Sequence, residues 1–265
     1  MKSYCEMVSS MAKKILLIVE GPDDEVRFYN SLFQNCFRKQ EYKIYPYRTT
    51  IHILAQELYN NYPEFEDDQI DIRLVLSSLT DCERKKAILR QNYSDIFLIF
   101  DFDPHHDHPH FDTVRRMLAY FSDSTSQGKL YINYPMMQSY KHFSTLPDND
   151  FSSRVVTIEQ IKEYKRLVGA ISRYTDLNKY DYNLFFSLAV HHLRKVNYLL
   201  YGEYSLPTCE EYLSFDLTKV YDLELSLFET SQEVSVVNTC ILMLCDFAPN
   251  RFFRYVIQHK ADLMI

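Results

Sequence analysis

Tryptophan is absent from this chain, and glycine is scarce: four residues among 265. So little glycine leaves few flexible connections, and no GxxxxGK[ST] loop occurs. Nucleotide binding of the Walker A kind is thereby excluded. The six cysteines show no CxxC spacing, which argues against a zinc ribbon or a dithiol redox pair. No apolar run approaches the roughly 20 residues of a membrane helix; the longest candidate, Val234 to Leu244, is short and broken by polar residues. Met1-Lys2-Ser3-Tyr4-Cys5-Glu6 lacks an apolar core, so a signal peptide is not expected. Reduced thiols in a cytoplasm are the simple reading. Positive charge is also in deficit. A net charge of −7 excludes a protein that coats nucleic acid by bulk attraction, though not an enzyme whose acids carry the chemistry. Neither a Ser–His–Asp nor a Cys–His nucleophile pattern stands out, and no internal repeat or low-complexity tract occurs.

What the chain does have is two acidic clusters, each directly after a short apolar run. Ile15-Leu16-Leu17-Ile18-Val19 leads into Glu20-Gly21-Pro22-Asp23-Asp24-Glu25, and Ile96-Phe97-Leu98-Ile99-Phe100 leads into Asp101-Phe102-Asp103-Pro104. Such runs read as buried parallel strands. In open α/β sheets, ligands sit beyond the carboxyl ends of the strands. Glu20, Asp101 and Asp103 are therefore expected on one rim. Carboxylates gathered there repel unless protons or a cation neutralise them, and oxygen-only ligands select Mg²⁺ or Mn²⁺. Gly21 permits a tight strand-to-helix turn and close approach of a phosphate. The plainer reading is a turn glycine beside a solvated Glu20. Asp101 and Asp103, two apart, point the same way on an extended strand end.

The rest of the first half alternates strands and helices. Strands are expected near 15–19, 42–47, 95–100 and 129–133. Helices are expected over 23–37, from Thr49 or Thr50 (as cap) to Tyr59, over 82–91 and over 112–121, while 72–79 reads as helix or strand, with helix preferred. Strands interleaved with helices imply a doubly wound, mostly parallel α/β sheet. After Leu146-Pro147-Asp148 the patterns turn helical, with helices expected from a Thr157–Gln160 capping box, over 182–200 and over 234–245. Two domains are expected, at 1–147 and 148–265.

The paired motifs resemble the Toprim domain of topoisomerases, primases and small nucleases, whose signature is a strand ending in Glu-Gly and a later strand ending in Asp-x-Asp. The resemblance covers about residues 13–145. Val-Glu-Gly-Pro-Asp-Asp-Glu, Tyr134-Pro135-Met136-Met137 and the helical second half look most like stand-alone anti-phage effectors of the OLD and PARIS types. It implies a Toprim-like catalytic domain at 1–147, followed by a mainly α-helical region. It implies Mg²⁺ (or Mn²⁺) held by Asp101 and Asp103, with Glu20 as base or further ligand. Asp24 matches a second acid in the OLD-type pattern. The implied activity is endonuclease hydrolysis of tRNA or DNA by a cytoplasmic toxin held in check by a partner ATPase. The resemblance often places Glu where this chain has Gln138, a departure that argues against a ligand there. A homodimer that builds a composite cleft is a further expectation. Two other readings remain: a non-catalytic Toprim regulatory or binding module, and a phosphatase using Asp101. The phosphatase reading ranks last, because in that family Asp-x-Asp follows the first strand and here it follows the third.

Several other residues lie close to the motifs. His105, His106, Asp107, His108 and His110 follow Asp103. A solvated rim loop is favoured over zinc, which wants Cys or a helical His pair. His106 and His108 are candidates for contacting phosphate or shuttling protons. Lys141 is a candidate to neutralise a scissile phosphate, against the plain reading of a surface lysine. Arg84-Lys85-Lys86, Arg90 and Arg115-Arg116 are candidate phosphate contacts, although each alone reads as a solvated helix face.

Overall fold

In a computed structural model, which describes residues 13–261 and Leu263, the chain divides into two compact units. One comprises residues 11–26 and 40–131; the other comprises 27–39 and 132–265. The N-terminal segment read above for a signal peptide lies outside the described residues. No helix among the described residues is long and apolar enough to cross a membrane.

The first unit is α/β. Strands β1 (Lys14–Val19), β2 (Glu41–Pro46), β3 (Asp95–Asp101), β4 (Ser122–Asp123) and β5 (Gly128–Asn133) form one sheet in the order β2-β1-β3-β5-β4. β1 runs parallel to both neighbours, pairing Leu17 with Ile44 and with Phe97. Flanked on both sides, β1 buries Ile15 to Val19 completely. This is why its sequence is apolar without alternation. β2 lies at the edge and buries only Tyr45. β4 pairs antiparallel with β5 and was not foreseen; two exposed residues carry no periodic signal.

Helix α1 (Asp24–Cys36) follows β1, and α2 (Ile51–Asn61) follows β2. The expected cap of α2 is corrected in its chemistry. Thr50 occupies the cap position, but its hydroxyl makes no capping bond. Helices α3 (Ile72–Ser78) and α4 (Glu83–Leu89) connect to β3, and α5 (Phe111–Tyr120) packs on α2.

The second unit is mainly helical. Its long helix (Tyr182–Tyr201) is buried over most of its length and stops at Gly202, whose φ of 79° suits a residue without a Cβ. The Thr157 capping box forms as expected, with both reciprocal bonds present. The helix it starts is broken at Glu163, giving Ile158–Lys162 and Tyr164–Ile171.

The helix expected over 234–245 is not there. Glu233–Ser235 is a short strand paired antiparallel with Val155–Thr157, and Val237 bridges Tyr134. Only Cys240–Leu242, as a 3₁₀ turn, and Met243–Asp246 are helical. The reason is local: β-branched Val234, Val236 and Val237 favour extended backbone. Asn238 then turns the chain by accepting a hydrogen bond from the Ile241 N–H, at 3.2 Å. A buried run this short has no period that separates helix from strand.

Candidate active site

The carboxyl end of β1 is held from both sides. Tyr47 donates its N–H to Val19 O (2.8 Å), Arg48 donates to Glu20 O (2.8 Å), and Glu20 donates to Ile99 O (3.2 Å). These bonds extend the parallel ladder one residue past the strand and fix the Glu20 main chain. Its side chain turns toward β3, where Glu20 Oε2 accepts from the Asp101 N–H at 3.1 Å. Two motifs 81 residues apart thus meet at one rim. Glu20, Asp101 and Asp103 are all half-buried there.

Gly21 has a specific neighbour. A Cβ at this position would fall 2.6 Å from Glu25 Oε2. The Glu25 carboxyl therefore lies over the Gly21 backbone and is buried, although it sits in the first turn of α1. Asp24, the first residue of that helix, is exposed.

Asp103 lies beyond the end of β3 in left-handed backbone, with φ of 42°, which corrects the expectation that it continues the extended strand with Asp101. Aspartate tolerates this conformation better than most residues do. Burial pushes its carboxyl above the ordinary range, while His106 and His105 pull the other way. His106 donates its N–H to Asp103 O at 3.3 Å, and its Nδ1 accepts from the His108 N–H at 3.3 Å.

Packed against this loop is a residue that no sequence pattern singles out. His52, in the first turn of α2, is buried, with its ring 5.2 Å from that of His106 and edge-on to Phe111. Its Nδ1 accepts from the His110 N–H at 3.2 Å. Burial, then the charge of His106, lowers its pKa to about 4. The Asp103 and Phe102 backbone favours the protonated ring, but His52 Nε2 meets no partner in hydrogen-bond geometry. A lone histidine in a helical pattern carries no signal for such a place.

Other expected residues are placed differently. Arg116 donates from Nε and Nη2 to the two carboxylate oxygens of Glu66, at 2.6 and 2.5 Å, and also donates to Pro63 O. It braces α5 to the connection that follows α2. Lys141 belongs to the second unit, at the end of a 3₁₀ turn, with its ammonium 5.5 Å from the Tyr140 ring centroid. Gln138 is buried in the same turn. A polar cavity of about 700 Å³ in the second unit, lined by Arg27, Gln34 and Asn178 among others, includes none of the rim carboxylates.

Among the described residues no three His, Cys, Asp or Glu side chains are gathered into a metal-holding group. The donor chemistry at the rim nevertheless fits a hard divalent cation: Glu20, Asp101 and Asp103 supply only oxygen, and burial disfavours the Asp103 anion more than His106 and His105 favour it. Magnesium is commonly held by one or two carboxylates with substrate phosphate and water completing its shell. In comparisons with known proteins, no family model, curated protein or solved structure matches this chain.

Proposed function

We propose that this chain is a Mg²⁺- or Mn²⁺-dependent endonuclease of the Toprim type, cleaving phosphodiester bonds in tRNA or DNA. The observation that carries the reading is the bond from the Asp101 N–H to Glu20 Oε2. It supports one acidic rim built from both motifs, beyond the ends of parallel strands where α/β sheets bind ligands. Asp101 and Asp103 would hold the cation, with Glu20 as general base or third ligand and exposed Asp24 assisting. When bound, such a cation lowers the pKa of water and stabilises charge on a phosphoryl group. Glu20 is oriented for its task by the Asp101 amide. The Asp103 carboxyl, disfavoured as an anion by burial, is primed for a positive neighbour. In keeping with the effector resemblance, the enzyme would act in the cytoplasm as an anti-phage toxin restrained by a partner ATPase, with a homodimer as a possible assembly.

The second reading, a Toprim module that binds without turnover, is favoured by the same bond seen differently. A carboxylate that accepts a main-chain N–H also serves as a strand-end brace. Cleavage of tRNA and DNA with Mg²⁺ and Mn²⁺ separates the two. Glu20→Ala and Asp101→Ala are expected to lower the rate about a hundredfold or more. Loss of the brace should cost only about 1 kcal/mol of stability. Full activity in a normally melting Glu20→Ala protein would sink the enzyme reading and leave the binding module.

A further inference from the structure

The rim also carries positive charge that no acid balances. Helix α4 holds three cations, Arg84, Lys85 and Lys86, with Arg90 at its C-cap, and one acid, Glu83. Glu83 takes Lys86 and Arg90, each at 3.5 Å. Lys85 turns the other way, toward β2, with its ammonium 5.1 Å from the Tyr45 ring centroid. Three residues beyond Tyr45 stands Arg48, exposed, on the residue whose N–H holds Glu20 O. Among the described residues neither Arg48 nor Lys85 has a carboxylate at ion-pairing distance. The two cations feel each other: burial first, and the charge of Arg48 second, hold the Lys85 ammonium below its ordinary range, with Cys82 opposing.

Like charges brought together without an acid are costly. Arg48 carries a second cost in its left-handed φ of 73°, a conformation uncommon for a long side chain. Both costs fall at the carboxyl end of β2, the strand beside β1 and its Glu20. An anion between the two side chains removes the first cost, and a guanidinium with an ammonium is the pair that phosphodiester oxygens attract.

We infer that Arg48 and Lys85 form a clamp for a backbone phosphate of nucleic acid beside Glu20. This rests on the nuclease reading for its choice of ligand. It adds the residues that position the strand while the carboxylates act. Arg84, Arg90 and Arg115 are not needed for it.

The test is equilibrium binding of a single-stranded oligonucleotide, in EDTA so that no cleavage occurs, over a range of salt. Each phosphate-bound cation removed should lower the slope of log K against log salt by about 0.7. Arg48→Asn keeps a residue that tolerates left-handed backbone, and Lys85→Gln keeps the stem over Tyr45. Each should show that loss, and the double variant about twice it. Arg48→Lys should keep the slope, and Lys86→Gln, whose charge is already met by Glu83, should leave it unchanged. Thermal melting confirms that each variant is folded. An unchanged slope in the double variant, an equal drop in Lys86→Gln, or no binding by the wild-type protein overturns the clamp. Cleavage with Mg²⁺, measured separately, keeps the two ideas apart. Binding with the expected slopes and no cleavage leaves the clamp and ends the nuclease reading. Cleavage with an insensitive slope does the reverse.

Discussion

The rim of the first unit and the core of the second treat buried polar groups in opposite ways. In the second unit histidines are matched. His142 Nδ1 meets the Tyr164 hydroxyl and His191 Nδ1 the Tyr204 hydroxyl, both at 2.9 Å. His192 accepts from the Asn238 N–H at 3.0 Å and faces Tyr140 O at 3.3 Å. Lys195, also buried, donates to the carbonyls of Ser152 and Arg154. At the rim, by contrast, Thr50 Oγ1, His52 Nε2 and His105 Nε2 are buried without partners among the described residues, beside a destabilised Asp103. The second unit has exceptions in Glu224 Oε1 and Asn183 Oδ1, but its buried rings are tied to specific acceptors and donors. Unmet buried polar atoms are costly, and in native folds they call for an explanation. Their gathering at the carboxyl ends of β2 and β3 is what a site awaiting a ligand would show; matched pairs are what a scaffold needs.

Acid has the largest expected effect, and the second unit carries two such histidines where the rim carries His52. Burial is the main cause lowering His192 to about 3 and His142 to about 4, from 6.5. Both are neutral when folded, so their stability is intact above pH 6.5 and is lost as pH falls toward the folded values. At pH 5 the unfolded chain binds protons that the fold refuses, at about 2 kcal/mol for each histidine. Urea unfolding at pH 7 and pH 5 measures this. A second unit as stable at pH 5 as at pH 7 would break the comparison.

Replacing single histidines comes next. His192→Leu strands the Asn238 N–H and the Tyr140 carbonyl and should cost roughly 2–4 kcal/mol at pH 7. It should also lose part of the acid sensitivity. His52→Leu strands only the His110 N–H and should cost about 1–2 kcal/mol less. Equal losses would mean that the rim is as tightly matched as the core.

Smaller effects test the edges of each unit. Thr157→Ala removes one side of the capping box and should cost about 1 kcal/mol, read as a shift in denaturant midpoint. Arg116→Ala breaks a partly exposed pair with Glu66 and should cost under about 1 kcal/mol. Nucleic-acid binding should be unaffected, because this arginine is already engaged. A large drop in binding would return Arg116 to the phosphate contacts.

The sequence made parts of this contrast legible. Ile15–Val19 and Ile96–Phe100 were readable as buried strands because both faces of each are covered, so no polar residue interrupts them. Glu20 and Asp101 could be placed on one rim because parallel strands share a carboxyl end. The Thr157 box was readable because a cap is a local event four residues long. The 234–245 segment was misread because its apolar run is buried on all sides and loses its period. Arg48, Lys85 and His52 were individually ordinary, since their meaning comes from neighbours that helix α4, strand β2 and the His105–His110 loop bring to them.

By itself, then, the sequence determined the local elements: apolar strands, caps, the acid after each strand, the lack of basic excess. Tertiary structure alone decided which charges go unanswered. Arg116 was matched by Glu66 from 50 residues away, Lys86 and Arg90 by the same Glu83, and Lys85 and Arg48 by nothing among the described residues. Propensity and periodicity act over a few residues and can be read along a chain. Coulomb energy and desolvation depend on distance in space and on burial, which only the packed fold assigns.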